Sequence, residues 1–126
     1  MTLPARTARV TVGGAPDLPL RGRDALTGDA QTLLGNFGVL YTLRVRGARG
    51  RTLGFSTRGG RYRGLLDVRD GTRAATRLIG QGAALTDPSV LPLLWRARTD
   101  TLDLRLVPAS GSNLPAALVF YVGEPR

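Results

Sequence analysis

The sequence predicts an all-β fold, an antiparallel immunoglobulin-like β-sandwich of about 7–9 strands. Three observations carry that reading. Apolar residues alternate with polar ones at period two, as half-buried strands require. Gly, Pro and Asp-Gly turn signals separate the alternating runs at short spacing. No segment keeps the 3.6-residue apolar period of a helix for more than a turn.

Taken in order, residues 7–12 alternate, with Ala8, Val10 and Val12 on one face, and Gly13-Gly14 ends the run. Residues 15–29 hold Pro, Gly and charge without a period, and read as a long connection with at most a short edge strand. From Val39 the alternation is clearest: Val39, Tyr41, Leu43 and Val45 face inward against Leu40, Thr42, Arg44 and Arg46, which predicts a central strand. Residues 47–50 (Gly-Ala-Arg-Gly) predict a hairpin into residues 52–57, with Leu53 and Phe55 inward. Arg58-Gly59-Gly60 turns the chain into residues 61–69, where Tyr62, Leu66 and Val68 oppose Arg61, Arg63, Asp67 and Arg69. Asp70-Gly71 then predicts a tight turn into a strand over residues 73–79. Within residues 80–97, Pro92 blocks a helix beginning at Asp87-Pro88, so the segment reads as a loop burying Leu91, Leu94 and Trp95. Leu102, Leu104 and Leu106 mark the next strand. After a turn-rich stretch over residues 108–115, residues 116–122 are apolar on both faces, as in a strand covered on two sides.

Composition narrows function by exclusion. The 126 residues contain no His, Cys or Lys, and Glu124 is the sole Glu. Those side chains supply most general acids, bases and covalent nucleophiles, so the sequence argues for a non-enzyme. Zinc and copper sites draw on His and Cys, and no cofactor or metal is expected; Asp87, Asp100 and Asp103 are the nearest approach to a calcium set, without a recognised loop spacing. No carboxylate pair at glycosidase separation emerges from the assigned strands, because Asp100 and Asp103 take opposite faces and Asp67 and Asp70 belong to another strand. A phosphate loop needs Lys, and no Gly-rich fingerprint opens a helix, so nucleotide binding lacks support. No apolar run is long enough to span a membrane as a helix, and no basic start followed by an apolar stretch opens the sequence. The length suits one domain over residues 1–126.

All 18 basic residues are Arg against nine acids, a net charge of +9. GC-rich coding is a sufficient cause of the Arg usage, and it accounts for Arg in place of Lys better than for the excess over acids. That excess favours a polyanionic partner, and the candidate contact set is Arg44, Arg46, Arg58, Arg61, Arg63 and Arg69. The competing reading is a set of solvated strand charges that discourage edge-to-edge aggregation. Nucleic acid is the alternative partner, although Phe37, Tyr41, Phe55 and Tyr62 mostly fall on inward faces rather than beside the basic stripe. The Arg-Gly-Gly-Arg run at residues 58–61 is a single copy between apolar alternations, and reads as a turn rather than a disordered RNA-binding tract. A third class is a homo-oligomer assembled through an edge strand, suggested by the two-sided apolar run at residues 116–122.

Gly35-Asn36-Phe37-Gly38-Val39-Leu40-Tyr41 resembles the G-N-Y-G-V-x-Y signature of a β-rich domain in exported bacterial cell-envelope proteins, a cyanobacterial-type family of unknown function with related extracellular modules. Arg63-Gly64-Leu65-Leu66-Asp67-Val68 and the loop through Asn113 to Pro115 keep that family's order, so the likeness spans residues 33–122. Phe37 stands where Tyr is usual, and the part before residue 30 has no counterpart. The resemblance implies an exported, envelope-associated domain and no known activity. The expectation drawn from the whole sequence is a non-catalytic structural or adhesive module that meets another envelope protein or an anionic surface polymer. Within the signature, Gly35 and Gly38 suit a tight turn into the strand, while Asn36 and Asn113 suit bonds to local backbone.

Overall fold

A computed structural model describes residues 1–13, 21–32, 39–58, 60–80, 83–109, 112 and 114–123. Among them ten strands form: β1 (Ala8–Val12), β2 (Arg21–Arg23), β3 (Ala30–Thr32), β4 (Tyr41–Arg46), β5 (Thr52–Ser56), β6 (Gly64–Asp70), β7 (Arg73–Ile79), β8 (Leu93–Arg96), β9 (Thr101–Pro108) and β10 (Ala116–Tyr121). No helix among the described residues is long and apolar enough to cross a membrane. Of the signature residues, Gly35 to Gly38 and Asn113 lie outside the described residues; Pro115 follows a cis peptide bond from Leu114.

Eight strands build two four-stranded sheets, here sheet A (β4-β9-β6-β7) and sheet B (β1-β10-β5-β8), antiparallel throughout. The antiparallel all-β sandwich expected from the alternation is what forms. Its wiring is nested. The chain behaves as one long hairpin whose tip is the Asp70-Gly71 turn, with β6 on β7, β5 on β8, β4 on β9 and β1 on β10. Folding that ribbon across itself adds the β6–β9 and β5–β10 pairs, which is the connectivity of a jelly roll. Sandwiches of the immunoglobulin-like kind share the two-sheet architecture without always sharing this topology.

The nesting changes three local readings. Residues 47–50 do not make a hairpin: Ala48 is fully buried and donates its N–H to the Asp100 carbonyl, while Gly50 donates to Ala97, so the chain passes from sheet A to sheet B. β4 is an edge strand rather than a central one, covered by the first residues of the chain, where Leu3 donates to Arg46 and Arg46 to Met1. The guanidinium of Arg51 then donates to the carbonyls of Pro4 and Arg6 and fastens that segment where it crosses to β1. Finally, the expected loop over residues 80–97 contains β8, whose alternation is broken by a register shift opposite Leu53 and Gly54. The turn before it is an Asx turn, with the Ser89 N–H donating to Asp87 Oδ1.

β2 and β3 form a separate hairpin, with every residue exposed. Its turn is organised by the Asp24 carboxylate, which accepts from the backbone of Leu26 and Thr27. Those backbone donors lower the carboxyl's pKa.

The core lies between the sheets: Val45, Leu102, Leu104, Leu106, Leu66 and Val68 from sheet A meet Leu53, Phe55, Leu118 and Phe120 from sheet B. Tyr62 is buried against Phe55 with ring centroids 4.5 Å apart. Burial shifts its hydroxyl's pKa upward, and that hydroxyl has no hydrogen-bond partner among the described residues. β10 is buried on both faces, as its sequence predicts, and it sits between β1 and β5. With both edges occupied it offers no strand edge, so it cannot be the donor or acceptor of the edge-strand assembly it suggested.

Candidate functional site

Strand alternation places the charged partners of the core residues on the outer face of sheet A. Register then arranges them in rows across the sheet. One row reads Arg44, Asp103, Arg69 and Ala74 over β4, β9, β6 and β7; the next reads Thr42, Arg105, Asp67 and Thr76. Acid and base alternate both along and across the strands, lining a shallow basin of about 550 Å³. At one end Val107, Leu65 and Leu78 make an apolar row.

The bonds within the basin are specific. Arg44 donates from Nε and from an Nη to the two oxygens of Asp103, at 2.7 and 3.2 Å. The Asp103 carboxyl has a lowered pKa, first through the Arg44 hydrogen bond, then through the charges of Arg44, Arg69 and Arg105, and Arg44 is raised in turn. Thr76 donates its hydroxyl to Asp67 at 2.5 Å. Asp67 and Asp103 occupy diagonal positions on adjacent strands, neighbours at about 7–8 Å with their Cβ atoms somewhat closer. The sequence reading found no such pair, because strand register was needed to bring the two together.

The six predicted arginines divide. Arg44 and Arg69 line the basin, Arg44 with its guanidinium committed to Asp103. Arg46 continues the outward face of β4, and Arg61 and Arg63 are exposed at the alternating positions that lead into β6. Arg58 turns to the other sheet, where it donates to the Thr11 hydroxyl at 3.3 Å. Arg105, Asp67 and Asp103 belong to the basin and were missing from the predicted set. None of the described aromatic rings lies on this face: Phe55, Tyr62 and Phe120 are fully buried, Tyr41 packs against the core, and Tyr121 belongs to sheet B.

A second charged region was not foreseen. Asp70, on the inward phase of β6, is 0% exposed at its side chain. It accepts from Trp95 Nε1, the backbone N–H groups of Arg98 and Thr99, the Thr99 hydroxyl, and the Arg73 guanidinium. Burial by itself would raise its pKa, but the hydrogen bonds from Thr99, Arg98 and Trp95 outweigh that and hold the carboxyl well below the usual range. The alternation held the signal: Leu66, Val68 and Asp70 share one phase, and the same phase on β7 carries Arg73, Ala75, Arg77 and Ile79.

No group of three or more carboxylate, His or Cys ligands gathers at one point among the described residues. Comparison with protein-family models, with curated proteins and with solved structures returned no match to this chain.

Proposed function

We propose that this domain is a non-catalytic structural or adhesive module of the bacterial cell envelope that contacts an anionic surface polymer, or an acidic surface of another envelope protein, through the outer face of sheet A. The observation that carries the reading is the distribution of charge there. Arg46, Arg69 and Arg105 are exposed on this face, and Arg61 and Arg63 at the alternating positions that lead into β6; none of the five has a hydrogen-bonded carboxylate among the described residues, while Asp103 is already matched by Arg44. Guanidiniums on a rigid sheet suit carboxylate or phosphate oxygens of a chain lying across the strands. The resemblance of residues 33–122 to envelope domains is what supports an exported location, and the absence of His, Cys and Lys from the sequence fits a non-catalytic role. The diagonal pair Asp67 and Asp103 does not change that reading. Glycoside hydrolysis needs one carboxyl held protonated near neutrality, and the arginines around Asp103 act in the opposite direction.

Nucleic acid is the alternative for the same surface. Single-strand binding draws on rings that stack successive bases, and the described rings lie elsewhere. The test is retention on a polyuronate and on a single-stranded oligonucleotide at low and near-physiological salt. Polyuronate binding that weakens in Arg61→Ala/Arg63→Ala supports the proposal. Oligonucleotide binding that survives physiological salt and depends on those two residues replaces it with the nucleic-acid reading.

A further inference from the structure

At the open side of the sandwich, the edge strands β7 and β8 face each other with Trp95 between them. The Arg73 guanidinium carbon lies 4.7 Å from the Trp95 ring centroid and that of Arg77 lies 5.3 Å away. Both arginines also reach the edge carbonyls of β8, Arg73 donating to Arg96 at 3.1 Å and Arg77 to Leu94 at 3.2 Å. These bonds satisfy acceptors that β8 would otherwise present to a stray strand, which explains why charge sits on an inward phase. They do not explain the rest of the cleft. Arg96 and Arg98 add two exposed guanidiniums whose side chains make no hydrogen bond among the described residues, and Leu93 is 55% exposed beside them.

We propose that this cleft of about 780 Å³ binds a carboxylated sugar unit of an acidic glycan, with Arg96 and Arg98 taking the carboxylate and Leu93, which faces outward on β8 as Arg96 does, packing against the ring's C–H face. Two features point to that ligand class. Four guanidiniums surround the cleft; Arg73 is paired with the buried Asp70, and Arg77, Arg96 and Arg98 have no carboxylate partner among the described residues, so a ligand anion meets a net positive charge. The walls pair that charge with apolar surface, and a uronate ring offers both an anion and an apolar face. A lone indole gives no succession of stacking platforms for a nucleic acid strand. The inference is independent of the sheet A face, because the cleft lies at a different edge and uses none of its residues.

Trp95 is the sole Trp in the sequence, so its emission reports the cleft directly. The experiment titrates the protein with a galacturonate trimer, a glutamate tripeptide and a thymidylate trimer at near-physiological salt. The expected result is a saturable emission change with the galacturonate trimer, weakened about tenfold or more in Arg96→Ala/Arg98→Ala and unaltered in Arg61→Ala/Arg63→Ala. Neither Arg96 nor Arg98 makes a side-chain hydrogen bond among the described residues, so the double variant should keep the wild-type thermal midpoint. Silent emission, a response that persists in Arg96→Ala/Arg98→Ala, or an equal response to the tripeptide or the thymidylate trimer overturns the proposal. Polyuronate retention that outlives a silent cleft would leave the sheet A reading standing.

Discussion

Asp70 and Asp103 lie on neighbouring strands of sheet A, and each is bonded to an arginine, yet their surroundings differ in kind. The Arg44–Asp103 pair keeps side-chain exposures of 65% and 43%, whereas Asp70 is 0% exposed and accepts five hydrogen bonds. An exposed pair gains little because water already solvates both partners. A buried carboxylate has lost that water, so each of its donors is needed. The outer face is therefore a charge lattice that can be rewritten at little cost to the fold. The β7–β8 edge is a network on which the fold depends, with its spare cations around it.

The largest expected effect comes from removing the buried acid. Asp70→Ala should cost about 3–5 kcal/mol, read as a lowered denaturant midpoint, because it leaves Arg73, Trp95 and Thr99 without their acceptor. The companion Asp70→Asn tests the charge. A carboxyl with a depressed folded pKa contributes stability that is present above its unfolded pKa of about 4 and is lost as the pH falls toward the folded value. Wild-type stability should thus decline below about pH 4, and the decline should be shallower in Asp70→Asn. Hydrogen exchange at the Arg98 and Thr99 amides should speed up in the same variant.

Trp95→Ala should cost about 2–3 kcal/mol, less than truncating a fully buried ring, since Trp95 is only partly buried. A loss confined to the β7 and β8 amides in hydrogen exchange would identify the edge as a local unit. A loss spread evenly through both sheets would contradict the comparison. Next, Gly71→Ala should cost about 1–2 kcal/mol, because φ is +63° there and an added Cβ would lie 2.9 Å from Thr99 Cγ2, disturbing a residue that holds Asp70. Thermal denaturation of the variant measures this.

The smallest effect on stability belongs to the lattice. Asp103→Ala should leave the thermal midpoint within error of wild type, yet it frees Arg44 and should strengthen polyuronate retention at low salt. A clear fall in midpoint would show that the lattice helps hold the sheet together.

The alternating runs made β1, β4, β6, β9 and β10 legible, because each has one face toward the core, or two in the case of β10. β3 was not, and β2 only as one short edge strand somewhere in residues 15–29, since strands with no buried face leave no alternation. β8 was hidden by Pro92 and by a register shift that breaks the period. For the site, the sequence supplied the outward phase of Arg44, Arg46, Arg61, Arg63 and Arg69. It could not tell that Arg44 meets Asp103, because those residues are 59 positions apart and share a row only through the β4–β9 register.

Composition and period-two patterning by themselves determined an all-β sandwich with a basic surface poor in catalytic side chains. Those properties follow from which residues can face water along an extended chain. The nesting of the ribbon about Gly71, the charge lattice and the Asp70–Trp95 edge were decided only by tertiary structure. Turns of similar composition can close a hairpin or cross between sheets, and the choice rests on distant contacts such as Ala48 with Asp100 and Asp70 with Thr99.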